Sequence, residues 1–126
     1  NSSNFTLDLS NFDTSNVTDM SDMFNNTGYN SPNFTFDVSN FDTGKVTNMR
    51  NMFYQTGYNS TNFNTSITIK NPNISSYSYG SMFKNVATQP GSKIIVNYTS
   101  ETEALVDKMI ATKSSNSNVV KGELVD

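Results

Sequence analysis

The chain contains no cysteine, no histidine and no tryptophan, and only three prolines and six glycines in 126 residues. Without Cys and His there are no thiol nucleophiles, disulfides, imidazole general bases or Cys/His zinc sites. Most catalytic and transition-metal chemistry is therefore set aside at the outset. Charge is sparse as well, with eight Lys and Arg against eleven Asp and Glu and a formal net charge of -3. Scattered basic residues in a net-acidic chain offer no cationic track for phosphates, which argues against nucleic acid as a partner. No apolar run approaches the ~20 residues that span a bilayer, and no charged-then-apolar leader opens the sequence. An opening Asn1 in place of Met points to a piece of a longer protein. Lack of cysteine fits a cytosolic or a surface-exposed bacterial protein equally and does not fix the compartment.

What the chain has instead is amide and hydroxyl: 20 Asn, 18 Ser and 15 Thr make 53 of its 126 residues. Such polarity suggests disorder, but disordered chains combine few aromatics with high net charge, and here nine Phe and six Tyr accompany almost none. The chain is expected to fold as one domain with one modest core.

An internal repeat organises it. Phe5 to Asn33 reads FTLDLSNFDTSNVTDMSDMFNNTGYNSPN and Phe34 to Asn62 reads FTFDVSNFDTGKVTNMRNMFYQTGYNSTN, with 19 of 29 aligned positions identical and no gap. A degenerate third unit runs over 63–92, where Ile67 and Ile69 match Leu7 and Leu9, and Ser81-Met82-Phe83 matches Asp22-Met23-Phe24. In each unit Phe5, Leu7 and Leu9 alternate with Thr6, Asp8 and Ser10, the period of a strand with one buried face. Asn11-Phe12-Asp13-Thr14 then turns the chain, with Phe12 expected to plug the bend. Val17, Met20, Met23 and Phe24 follow at offsets 0, +3, +6 and +7. That spacing predicts a short helix capped by Asn16 or Ser15 and stopped by a left-handed Gly28, with Gly57 in the same role one unit later.

One unit buries too little to stand alone. Stacked in register, the units place Leu7 over Phe36, Met20 over Met49 and Phe24 over Phe53. The expected fold is an α/β repeat: a solenoid of short parallel strands and short helices, closed by a strand-helix-strand cap over 93–126. The cap is read from Ile94-Ile95-Val96, from a helix with Ser100 as N-cap, Glu103 at its third position and Leu105, Val106, Met109 and Ile110 on its inner face, and from Val119-Val120.

The run Leu9-Ser10-Asn11-Phe12-Asp13-Thr14-Ser15-Asn16-Val17-Thr18-Asp19-Met20-Ser21-Asp22-Met23-Phe24 resembles the repeat of BspA-like leucine-rich-repeat surface proteins, and of a related surface-protein domain of unknown function in mycoplasmas and low-GC Gram-positive bacteria. Its Asn-Phe-Asp-Thr, Val-Thr, Met and Met-Phe landmarks recur at 40–53 with the same spacing. The resemblance implies a leucine-rich-repeat-like right-handed solenoid, a cell-surface, secreted or lipoprotein location, and attachment to host molecules or other cells. Two departures stand out: a period of 29 where the family's usual repeat is in the mid-twenties, and no lipobox or anchor within these residues.

Two surfaces are candidate ligand sites. Parallel stacking lines up Thr6, Asp8 and Ser10 with Thr35, Asp37 and Ser39 as a polar ladder on the strand face, which solenoids often use for a protein or glycan and which otherwise only keeps a sheet soluble. The loops bearing Tyr29 and Tyr58, with Tyr77 and Tyr79 in the third unit, offer rings beside Asn amides, suited to sugars or proteins, or simply lids on the core edge. Asp8 stacked on Asp37 is unfavourable unless a cation relieves it, but no calcium motif is present, and neither metal nor cofactor is expected. Met20, Met23, Met49, Met52 and Met82 read as core, and Asp13 and Asp42 as turn-formers rather than paired catalytic acids. A non-enzymatic surface domain that binds a host or neighbouring-cell protein or glycan is the expected function, within a protein carrying other modules and without membrane insertion of its own. The alternative is a stalk that presents another module and has no ligand. A polysaccharide hydrolase would require two aspartates at the ~5–9.5 Å glycosidase separations.

Overall fold

The computed structural model describes the backbone of residues 4–7 and, with side chains, residue 9 and residues 11–125. Among the described residues, five strands and two helices follow in the order β1 (Asn4–Leu7), β2 (Asn33–Phe36), β3 (Asn64–Ile69), α1 (Ser76–Tyr79), β4 (Lys93–Tyr98), α2 (Glu103–Ala111) and β5 (Val119–Leu124). The 29-residue period reappears as strand register. β1 and β2 pair in parallel from Asn4 with Asn33 to Leu7 with Phe36, and β3 and β4 from Asn64 with Lys93 to Ile69 with Tyr98. In β3 the alternation predicted from sequence is plain, with Thr65, Ile67 and Ile69 buried and Ser66 and Thr68 half-buried.

Between β2 and β3 the ladder is interrupted, giving a two-stranded and a three-stranded sheet among the described residues. Side-chain hydroxyls take over there. Val38 N–H donates to Thr65 Oγ1 (3.0 Å) and Ser60 Oγ donates to the Phe34 carbonyl (3.2 Å).

The opposite side of each unit differs from the helix predicted over Val17 to Phe24. Phe24 N–H, which in an α-helix would bond the Met20 carbonyl, donates instead to Met52 in the next unit at 2.9 Å. The segment is a ribbon of overlapping β-turns. Met23, Asn25, Thr27, Tyr29 and Ser31 donate three residues back, to Met20, Asp22, Phe24, Asn26 and Gly28. The intervening Met20, Asp22, Phe24 and Asn26 donate across to Asn48, Arg50, Met52 and Tyr54. Unit two repeats the pattern, from Met49, Asn51, Phe53 and Gln55 to Ser78, Gly80, Met82 and Lys84. Every second amide thus closes a local turn and its neighbours join the units, which accounts for the backbone donors without a helix.

The cause lies in the residues between the apolar positions. Asp22, Asn26 and Gly28 have φ of +58°, +61° and +66°, at the third position of the turns that begin at Met20, Phe24 and Asn26, where a type II turn calls for positive φ. Asn, Asp and Gly tolerate this region best, and Asn51, Gln55 and Gly57 hold the same conformation at +58°, +58° and +60°. Glycine has a second reason to be there. A Cβ on Gly28 would lie 2.3 Å from the Phe34 ring, and one on Gly57 2.8 Å from the Phe63 ring. At the corresponding place in unit three stands Ala87, φ +49°, and the position that register aligns with Phe63 is Ser92. With the ring gone, a methyl fits.

Inside, equivalent side chains form columns. Phe24 stacks on Phe53 at 5.8 Å between centroids, Phe53 on Phe83 at 6.1 Å, and Phe34 on Phe63 at 5.3 Å. Met20, Met49, Met52 and Met82 are buried beside them. Met23 departs from the core reading at 37% exposed, and Phe12, expected to plug its bend, is 52% exposed, whereas their counterparts Met52 and Phe41 are buried. Both belong to the first unit, which has no described unit on its outer side.

Buried hydroxyls form columns too. Ser31, Ser60 and Ser92 are buried at one corner, Thr14 and Thr43 at another. Ser92 Oγ donates to the Ser60 carbonyl at 2.7 Å and accepts from Phe63 N–H at 3.0 Å; Thr14 Oγ1 accepts from Asp42 N–H at 2.7 Å. Each corner has backbone groups turned away from the strand ladder, and a short hydroxyl meets them where water cannot reach. The richness in Ser and Thr is in part an interior feature.

The last third runs strand, helix, strand. α2 begins at Glu103, with Thr102 rather than Ser100 as its N-cap residue, and Thr102 makes no side-chain capping bond. Its hydroxyl is engaged elsewhere: it donates to the Ile69 carbonyl (2.6 Å) and accepts from Thr99 N–H (2.8 Å). Val106 and Met109 are buried, and Leu105 and Ile110 pack partly against the core. β4 and β5 are parallel with a register shift between Val96 and Tyr98, where Asn97 Oδ1 accepts from Glu123 N–H at 2.9 Å and Gly122 leaves room for that carboxamide.

Candidate functional site

The strand-face ladder is only partly visible. Asp8 and Ser10 lie outside the described residues, and of Thr6 only the backbone is described, paired in register with Thr35. Asp37 and Ser39 are exposed but lie beyond the end of β2, in a turn where Asp37 Oδ1 accepts the Ser39 N–H at 2.8 Å and reaches the Thr65 hydroxyl at 3.5 Å. The carboxylate is satisfied within its own turn.

The same local motif engages three other aspartates. Asp13 Oδ1 accepts both the amide (3.0 Å) and hydroxyl (2.6 Å) of Ser15, Asp19 accepts Ser21 N–H at 2.9 Å, and Asp42 accepts Gly44 N–H at 3.0 Å. Asn48 and Asn71 form the amide versions with Arg50 and Asn73. Hydrogen bonds from Ser15 and Ser21 hold the carboxyls of Asp13 and Asp19 below the ordinary value of 3.8, favouring the ionised acceptor. That is the opposite of what a general acid requires. Among the described residues no three acidic side chains gather into a cation-binding group.

The tyrosine candidates separate into three kinds. Tyr29 and Tyr58 are half-buried and stack face to face, 4.8 Å between centroids and 5° between planes. Beside them Asn59 Nδ2 donates to Asn30 Oδ1 at 2.8 Å, and Asn59 N–H donates to the Tyr29 carbonyl at 2.9 Å. Identical residues one period apart thus form an aromatic column next to an amide column. Tyr77 is 71% exposed, on α1 rather than a loop. The Arg50 guanidinium lies 4.7 Å from its ring centroid, a cation–π contact between neighbouring units. Tyr79, also on α1, is 6% exposed and belongs to the core, so its place among the surface candidates is corrected. It occupies the place of Met20 and Met49, one residue later because the third unit has gained a residue.

Sequence reasoning missed Arg50. Its partner Tyr77 lies 27 residues on, short of the 29-residue period, so aligning the units does not bring the two together.

A shallow open depression of about 510 Å³ lies where β3, β4 and β5 begin, lined by Asn64, Pro90, Gly91, Ser92, Lys93, Asn118 and Val120. Its two carboxamides are already bonded, Asn64 Nδ2 to the Gly91 carbonyl (2.9 Å) and Asn118 Nδ2 to the Gln89 carbonyl (3.1 Å). They hold the rim loop.

The twice-repeated Asn-Phe-Asp-Thr unit, now seen as bonded turn ribbons, is spanned over residues 1–119 by the pattern of a family described as "Mycoplasma protein of unknown function, DUF285". The chain belongs to that family. No curated protein and no solved structure matches it. The family description assigns no activity, and it supports a Mycoplasma repeat domain without extending to the BspA-like leucine-rich assignment. No helix among the described residues is long and apolar enough to cross a membrane.

Proposed function

We propose that this DUF285 chain is a non-enzymatic repeat scaffold on the outside of a bacterial cell, built as a solenoid of the BspA-like kind, that binds a protein or glycan through side chains repeated along its flank. The reading is carried by the Tyr29–Tyr58 stack with its Asn30–Asn59 amide pair. Tyrosine rings and carboxamides side by side suit sugar hydroxyls and peptide groups alike, and bonded units fix their spacing without a further ordering cost on binding. The strand face is the weaker candidate, since Asp37 is already satisfied.

An array of glycans and extracellular-matrix proteins tests the reading. A partner whose binding drops at least tenfold in Tyr29→Ala/Tyr58→Ala, but not in Asp37→Ala, supports it. Binding lost only in Asp37→Ala returns the site to the strand face. No binding to any member favours the stalk alternative, which the engagement of Asp13, Asp19, Asp37 and Asp42 in their own turns also suits.

A further inference from the structure

The two ends of the stack are built differently. At the end formed by β5, the outermost strand carries Lys121 and Glu123, and the register shift at Val96/Tyr98 breaks its regularity. Lys121 is fixed by Glu103 (2.7 Å) and Asp107 (3.1 Å) of α2 and sits 4.9 Å from the Tyr98 ring centroid. Charge and a bulge on an edge strand are devices that discourage further pairing.

The first unit has no such bulge on its turn ribbon, and its exposed charges, Asp19 and Asp22, are bonded within the ribbon to Ser21 N–H (2.9 Å) and Asn25 Nδ2 (3.0 Å). Unit two accepts hydrogen bonds from unit one at the carbonyls of Asn48, Arg50, Met52 and Tyr54. The 29-residue equivalents in unit one are Asp19, Ser21, Met23 and Asn25, and no described N–H donates to their carbonyls. Beside this row stand Phe12, 52% exposed, and Met23, 37% exposed. In unit two the same two places, Phe41 and Met52, are 3% and 0% exposed because unit one covers them.

We propose that this face is a docking surface for one further turn ribbon of the same 29-residue kind, joined in tandem ahead of Phe5. The chemistry selects that occupant. From Asp19 to Asn25 the face offers acceptors, followed by the amides of Gly28 and Asn30, whose unit-two equivalents Gly57 and Asn59 donate to the Thr27 and Tyr29 carbonyls of unit one. It therefore needs a partner with amides free on alternate residues and then carbonyls, as the side of a Met-x-Asp-x-Phe-x-Asn ribbon that meets the next unit supplies. A second copy turned face to face would set carbonyls against carbonyls. A second copy stacked head to tail would offer its charged, bulged β5. The joint already made between units one and two is the template for the proposed one.

Because the chain has no tryptophan, Phe12→Trp reports on the face directly, and Phe41→Trp shows how a covered position behaves. The test compares the 126-residue chain with one carrying an added copy of residues 5–33 joined ahead of Phe5. In the longer chain the indole emission of the Phe12→Trp variant is expected to shift to the blue and its acrylamide quenching to fall several-fold, approaching Phe41→Trp, with the unfolding midpoint raised. Unchanged emission and quenching, or loss of a cooperative transition in the longer chain, overturns the proposal. Blue-shifted, concentration-dependent emission in the 126-residue chain itself, with a dimer in sedimentation, assigns the face to a second copy and also overturns it.

Discussion

Gly57→Ala isolates the turn-ribbon geometry from general packing. Gly57 has φ +60°, and an added Cβ would lie 2.8 Å from Cδ2 and 3.1 Å from Cγ of Phe63, whose side chain is fully buried. Placing a non-glycine residue in the left-handed region costs about 1–2 kcal/mol, and displacing a close-packed ring adds about 1–3 kcal/mol. Alanine recovers about 0.4–1 kcal/mol by restricting the unfolded chain. The net is a destabilisation of about 2–4 kcal/mol, read as a lower urea midpoint at unchanged slope. Ala87→Gly is the matched control. The backbone there is also left-handed, at φ +49°, but the Phe63 position is taken by Ser92, so the change is expected to stay within about 1 kcal/mol of the parent. If Gly57→Ala cost no more than Ala87→Gly, the glycine would not be required by ring contact and left-handed backbone together, and this account of the repeat's Gly would be wrong.

Three other outcomes follow from the structure. Thr102→Val keeps the shape but leaves the Ile69 carbonyl and Thr99 amide unpaired in a buried corner; a loss of about 1–3 kcal/mol by urea unfolding is expected, whereas a loss under about 0.5 kcal/mol would remove the hydroxyl columns from the account. Phe41→Ala should cost about 3–5 kcal/mol and Phe12→Ala much less, since the two rings differ in exposure, 3% against 52%; equal costs would contradict that difference. Asp13 and Asp19 have folded pKa values below the ordinary 3.8, so their contribution is present above that pH and is lost as pH falls through and below it. Urea midpoints should drop in that acid window, and the drop should be shallower in Asp13→Asn/Asp19→Asn.

The 29-residue period was legible from identity alone, and with it which residues face one another: Leu7 and Phe36 are strand partners and Phe24 and Phe53 stack. The turn ribbon was not legible, for a physical reason. Apolar residues three and four apart are shared by a helix face and by overlapping β-turns, so the spacing of Val17, Met20, Met23 and Phe24 does not separate them. The deciding information lay in the polar residues between, where Asp22, Asn26 and Gly28 are poor helix formers and good hosts of positive φ. The buried hydroxyls were hidden because composition does not say on which side of a turn a Ser or Thr points. On the candidate surface, Tyr29 and Tyr58 followed from the repeat, whereas Tyr79 was misplaced because the added residue in unit three shifts the period from 29 to 30, and Arg50 was missed because its contact with Tyr77 spans 27 residues and so crosses the repeat diagonally.

The most direct test of the stacked turn ribbon is a long-range NMR experiment that detects couplings across hydrogen bonds, on uniformly labelled protein. The ribbon predicts correlations from the amides of Met20, Asp22, Phe24 and Asn26 to the carbonyls of Asn48, Arg50, Met52 and Tyr54. Correlations from Phe24 to Met20 and onward at four-residue spacing, with none between units, would restore the helix and contradict the account.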